Sequence, residues 1–210
     1  MNRTKHLLVE NVAWAAELAH ADPDFFVNLP RGQSPSVLWI GCCDSRVPAE
    51  TITHAKPGDL FVHRNIANLV PADDANTMSV LEYAVSVLRV AHVIVCGHSG
   101  CGGVRAALAG VPDGMPHLSR RIAPLRALAH RHGAELQALP DLRRADRLAE
   151  LNVLEQVRRV GETAVVRGAA TPPRVHGWMF DLHDGRLRAL AGDDAPRRRV
   201  PVPTGPLVPA

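Results

Sequence analysis

The sequence lacks the marks of several protein classes. Between Met1 and Glu10 no continuous apolar stretch leads to a small-residue cleavage site, so no secretory signal is expected. No segment approaches the ~18 uninterrupted apolar residues of a membrane span, so no membrane partner is expected either. Four cysteines in 210 residues are too few for a disulfide scaffold. In a reducing cytoplasm, the expected location, they remain available as thiolate ligands. A net charge of +3 is too small to imply a nucleic-acid partner. The one dense basic run, Arg197-Arg198-Arg199, falls in a Pro-rich tail and is read as solvated. No internal repeat is evident. The paired Cys-x-x-Cys knuckles of a structural zinc site are missing. The loop Gly97-His98-Ser99-Gly100 matches neither Gly-x-Gly-x-x-Gly nor the Lys-Ser/Thr phosphate pattern.

What is present fits one globular unit. Hydrophobic residues make up 46% and charged residues 21%, enough apolar material for a sizeable core. Residues 1–192 read as a single domain, with an N-terminal helical arm at 1–30 and a Pro/Arg-rich tail at 193–210 that reads as disordered or loosely draped. His6 to His20 places Leu7, Leu8, Val12, Trp14, Ala15 and Leu18 on roughly one helical side. Asp22-Pro23 reads as a helix cap followed by proline at the first position, opening a short helix with Phe25, Phe26 and Leu29. These helices either wrap a partner subunit or pack on their own domain. Strands are expected at Val37–Ile40, Leu60–Arg64, Ala91–Cys96 and Val175–Leu182. His183-Asp184-Gly185 reads as a tight turn into Leu187–Leu190. Helices are expected over Pro48–Thr53, Asn76–Arg89, Gly100–Ala109, Ser119–His130 (interrupted early by Pro124) and Asp141 to about Val160. This alternation predicts an α/β fold: a mostly parallel central sheet of four to five strands flanked by helices, with N-terminal helical arms.

Two half-motifs sit at the ends of apolar strands. The first is Cys42-x-Asp44-x-Arg46, where alternation on extended backbone points Cys42 and Asp44 one way and Cys43 the other. The second is His98-x-x-Cys101. Right-handed crossovers bring loops at the carboxyl ends of neighbouring parallel strands together, which is where both half-motifs lie. Cys42, His98 and Cys101 then offer sulfur, nitrogen and sulfur to Zn2+, and Asp44 can close the tetrahedron. Cys101 falls near a helix N-terminus, which favours its thiolate. If Asp44 leaves the metal for Arg46, the fourth position opens to water, whose pKa falls to about 7 on zinc. A hydroxide nucleophile gated by the Asp44–Arg46 dyad follows. Cys43 and Cys96 read as small buried hydrophobes. No proton shuttle stands out among His54, His63 and the remaining histidines.

With both half-motifs placed, the chain resembles a β-class carbonic anhydrase of bacterial type. The resemblance spans roughly Val37 to Leu190, with Phe61-Val62-His63-Arg64-Asn65-Ile66-Ala67-Asn68 between the half-motifs and Asp22-Pro23-Asp24-Phe25-Phe26 near the start. It implies reversible hydration of carbon dioxide to bicarbonate and a proton, with Cys42, His98 and Cys101 as zinc ligands and Asp44–Arg46 as the dyad. It also implies Gln33 and Gly102 as substrate-binding positions, Gln33 reaching a partner's pocket. The building block it implies is a homodimer that often pairs again into a tetramer. One subgroup binds inhibitory bicarbonate in a second pocket lined by Trp, Arg and Tyr. Here Trp39 and Arg64 match, while Phe180 stands at the tyrosine position, so weakened bicarbonate control is expected. Two other readings are a carbon disulfide or carbonyl sulfide hydrolase on the same scaffold and a non-catalytic zinc protein that binds bicarbonate.

Overall fold

The computed structural model describes residues 2–195. Of the expected tail at 193–210, residues 193–195 are described, with Asp193 paired to Arg174 at 3.0 Å, and the remainder with Arg197-Arg198-Arg199 lies outside the described residues. Five strands form one sheet: β1 (Val37–Cys42), β2 (Leu60–Asn65), β3 (His92–His98), β4 (Arg174–Phe180) and β5 (Leu187–Ala191). Their order is β2-β1-β3-β4-β5. The first four run parallel and β5 returns antiparallel through the hairpin after β4. The mostly parallel sheet expected from sequence is therefore present. Its central strands are near-continuous in apolar residues because both faces are covered. Leu38, Ile40, Val93 and Val95 bury on one face, and Trp39, Ile94 and Cys96 on the other.

The helices, in chain order, are α1 (Arg3–Ala21), α2 (Phe25–Asn28), α3 (Ala49–Thr53), α4 (Ala75–Glu82) and α5 (Gly102–Ala109). Then come α6 (Pro116–Arg121), α7 (Ala123–Arg131), α8 (Gly133–Gln137), α9 (Asp141–Glu162) and α10 (Ala164–Arg167). The long α9 covers one face of the sheet through Leu148, Ala149 and Val153. It comes close because two glycines face it. A Cβ at Gly97 would stand 2.6 Å from Val153 Cγ2, and one at Gly177 2.9 Å from Val157 Cγ2. The opposite face has thinner cover, with Ala49 and Ile52 of α3 packed around Trp39, Val47 and Phe180. No helix among the described residues is long and apolar enough to cross a membrane.

Three local expectations need correction. Asp22 does not open a helix with Pro23 at its first position. It closes α1, its Oδ1 accepts from the Asp24 amide at 3.1 Å, and α2 begins at Phe25. The helix expected over Asn76–Arg89 is α-helical only to Glu82. It widens into a π turn over Tyr83–Val87 and ends at Arg89 with φ of 55°. The helix interrupted by Pro124 is two helices, because proline is tolerated in the first turn of α7 but not inside a continuous ladder.

Sequence left open whether the N-terminal helices pack on their own domain. α1 buries no side chain. Leu7, Leu8 and Val12 are 62%, 69% and 69% exposed, an apolar stripe that the described residues leave uncovered. Trp14 meets the short α2, edge-on to Phe26 with centroids 6.1 Å apart.

Candidate active site

The end of β1 shows the alternation expected of extended backbone. Cys42 is buried and Cys43 is exposed, so Cys43 is not the buried hydrophobe expected from sequence, whereas Cys96 is buried. His98 ends β3, and Cys101 occupies the N-cap of α5. The parallel crossover sets these ends side by side. The ligand atoms of Cys42, His98 and Cys101 all lie within 4.8 Å of one another, and the two sulfurs are 3.9 Å apart.

The donor chemistry of this cluster suits a metal. His98 is fully buried. Its Nδ1 lies 2.9 Å from the Ser99 carbonyl oxygen, which can only accept, so Nδ1 carries the proton. Nε2 is then a bare lone pair, buried and, among the described residues, without a hydrogen-bond partner. A buried unpaired acceptor is costly unless an electrophile meets it. The sulfurs share a proton: the hydrogen bond from Cys101 pulls the Cys42 thiol well down against the opposing effect of burial, and Cys101 is pushed up in return. Two sulfurs and an imidazole nitrogen are the donor set zinc prefers.

Asp44, expected both as a ligand and in the dyad, is paired with Arg46. Arg46 Nε donates to Oδ1 at 2.9 Å, Nη2 to Oδ2 at 2.7 Å, and the Arg46 amide to Oδ1 at 3.0 Å. This fork holds the carboxyl far below the usual carboxylate range, with the Arg46 side chain as the main cause. Oδ2 also lies 3.8 Å from His98 Nε2, so the ionised carboxylate borders the triad.

The other expected positions are spread more widely. Arg64 donates from Nε to the Cys42 carbonyl at 2.8 Å and from Nη2 to the Asp44 carbonyl, clamping the turn after β1. Trp39 and Phe180 are buried in one apolar cluster with Val47. Gln33 is exposed in the coil before β1. Gly102 opens α5 with nothing among the described residues within 4 Å of where its Cβ would be.

Several supporting groups escape sequence reasoning. Ser99 Oγ accepts from the Leu182 amide at 2.8 Å and donates to Asp181 Oδ1 at 3.2 Å. The Gly100 amide donates to Asp146 Oδ1 at 2.8 Å, and Gly100 itself adopts φ of 63°, the left-handed region where glycine is favoured. Asn152 Nδ2 donates to the Ala67 carbonyl at 2.9 Å, and Gln156 Oε1 accepts from the Val70 amide at 2.9 Å. The only signal for the last pair is two amides one turn apart among the apolar positions of α9.

A family model described as carbonic anhydrase matches residues 37–187. Over 184 residues the chain is 49% identical to a carbonic anhydrase of Emericella nidulans, spanning 86% of this chain and 80% of that protein. Among solved structures, a tetrameric β-carbonic anhydrase of the filamentous ascomycete Sordaria macrospora matches with a TM-score of 0.88 at 42% identity, covering 91% of this chain and 99% of that one. The Coccomyxa β-carbonic anhydrase in complex with acetazolamide matches with a TM-score of 0.87 at 34% identity, covering 93% of this chain and 90% of that one.

Proposed function

The chain belongs to the β-class carbonic anhydrase family, and on that premise we propose that it hydrates carbon dioxide reversibly to bicarbonate and a proton, with zinc held by Cys42, His98 and Cys101. The observation that carries this reading is the bare, buried Nε2 of His98 facing two sulfurs that share a proton. Zinc held there would lower the pKa of a bound water to about 7 and so supply a nucleophile near neutral pH.

The surrounding residues have distinct roles. Asp44 Oδ2 accepts a hydrogen bond from the attacking water and aims its lone pair at the carbon of the substrate. Arg46 keeps that oxygen ionised and turned toward the site. A carboxylate held so far below its usual range is an acceptor and not a base, so the released proton leaves by another group. Gly102 opens α5, and among the described residues nothing lies within 4 Å of where its Cβ would be, which leaves room for oxygens of the substrate at this helix N-terminus. Arg64 supports the Cys42 turn through two carbonyls. With its guanidinium so engaged and Phe180 lacking a hydroxyl, a second bicarbonate pocket beside Trp39 is weak.

The working form is a homo-oligomer, a dimer that can pair again. The uncovered stripe of α1 seats on a second copy, and Gln33 reaches toward that copy's site. Four free cysteines, two of them ligands, suit the reducing cytoplasm. Residues 1–192 act together as a single domain.

The test is stopped-flow carbon dioxide hydration on metal-quantified protein, with Cys42→Ser as control. Zinc-dependent hydration that is lost together with the metal in the variant supports the proposal. Stoichiometric zinc with no hydration refutes it and favours a carbon disulfide hydrolase or a non-catalytic protein.

A further inference from the structure

The peptide between His98 and Cys101 belongs to neither β3 nor α5, so its shape decides how the imidazole and the second sulfur meet. The hairpin after β4 holds its Ser99 side. Its Gly100 side is held by Asp146, which lies on α9, 46 residues away in the chain.

Asp146 is the odd acid of its helix. Asp141 pairs with Arg144, Glu150 with Arg147 and Arg188, Glu155 with Arg158 and Arg159, and Glu162 with Arg158. Among the described residues, Asp146 has no such cation, although it is partly buried. It stands beyond the first turn of α9, so it caps no free amide of its own helix. Its Oδ1 instead accepts from the Gly100 amide at 2.8 Å, where the backbone takes φ of 63°. A charge-assisted hydrogen bond to an amide is stronger than a neutral one and fixes its direction.

We propose that Asp146 is a positioning residue for the metal centre: its carboxylate fixes the peptide between His98 and Cys101 and so sets the spacing of these two ligands. The core of α9 anchors the helix against the sheet through Leu148, Ala149 and Val153. The position of Gly100 is thereby tied to the body of the fold. This inference rests on the zinc reading above.

The test uses the full chain loaded with zinc, comparing the parent with Asp146→Ala and Asp146→Asn. Zinc release to excess chelator is followed in each, with the melting temperature as a check on folding. Absorption bands of the cobalt-substituted proteins report ligand geometry. Asp146→Ala should release zinc roughly tenfold faster or more, the usual scale for losing a group that orients a metal ligand, and its cobalt bands should shift. Asp146→Asn should behave like the parent, because its amide oxygen still accepts from Gly100. The proposal is overturned if Asp146→Ala retains zinc as long as the parent with unaltered cobalt bands. It is equally overturned if Asp146→Asn loses zinc as fast as Asp146→Ala. Should Asp146→Ala fail to fold, Asp146→Leu, close in shape to Asp146→Asn but without an acceptor, takes its place: faster zinc release than Asp146→Asn supports the role and equal release refutes it. A parent that takes up no zinc refutes the zinc reading itself. A loaded parent with an indifferent Asp146→Ala refutes only the role of Asp146.

Discussion

Replacing Gly97 by alanine adds one methyl group where the sheet and α9 are closest. Its Cβ would lie 2.6 Å from Val153 Cγ2 and 2.9 Å from Met179 Sδ. Both distances are below normal contact, but the two neighbours differ. The Met179 thioether can turn aside, whereas Val153 is fully buried and branched, with a stiff χ1 in a helix. Relief therefore requires α9 or the end of β3 to shift. Overpacking of this kind costs about 1–3 kcal/mol. At about 2–4 °C per kcal/mol for a chain of this size, the melting temperature should fall by about 2–12 °C. Because Gly97 precedes His98, zinc retention should fall as well. Removing the obstacle provides the control: Val153→Ala alone leaves a cavity, and the methyl group introduced by Gly97→Ala then partly fills it. Urea denaturation of the four proteins should show the double variant more stable than the sum of the single losses, by more than the ~0.5 kcal/mol within which independent sites add. Simple additivity, or a Gly97→Ala protein as stable as the parent, would refute the reasoning.

Arg46→Ala should move the acid limb of the kcat/KM profile to higher pH. Arg46 depresses the Asp44 pKa, so the ionised form persists to low pH in the parent, and its loss lets protonation begin earlier; an unmoved limb in stopped-flow assays contradicts this. Phe180→Tyr should strengthen inhibition by bicarbonate through one added hydrogen bond, worth ~0.5–1.5 kcal/mol. A parent already silenced by millimolar bicarbonate counts against it. Cys43→Ser should leave zinc content unchanged by metal analysis, because Cys43 is exposed while Cys42 is buried.

The central strands were legible in the sequence because their valine and isoleucine runs leave no alternative use for both faces. The Cys42, His98, Cys101 cluster followed from parallel topology, which sets strand ends together without any knowledge of side-chain contacts. Other features depend on distant partners. The π turn at Tyr83–Val87 replaces an α-helix with no change in apolar spacing, so periodicity cannot reveal it. Arg64 carries a motif position, yet its hydrogen bonds go to two carbonyls that only the folded turn presents. Asp146 looks like any acid on an Arg-rich helix until its neighbours are seen to pair with arginines while, among the described residues, it does not. Cys43 reads as a small buried hydrophobe by composition, while strand alternation had already turned it outward.

X-ray absorption at the zinc edge of the purified protein tests the zinc assignment most directly. Two sulfurs at about 2.3 Å and light-atom scatterers at about 2.0–2.1 Å are predicted, one of them imidazole nitrogen. The sulfur count should fall to one in Cys42→Ser or Cys101→Ser if either variant retains metal. A shell of nitrogen and oxygen alone, or one unaltered by losing either cysteine, would contradict it.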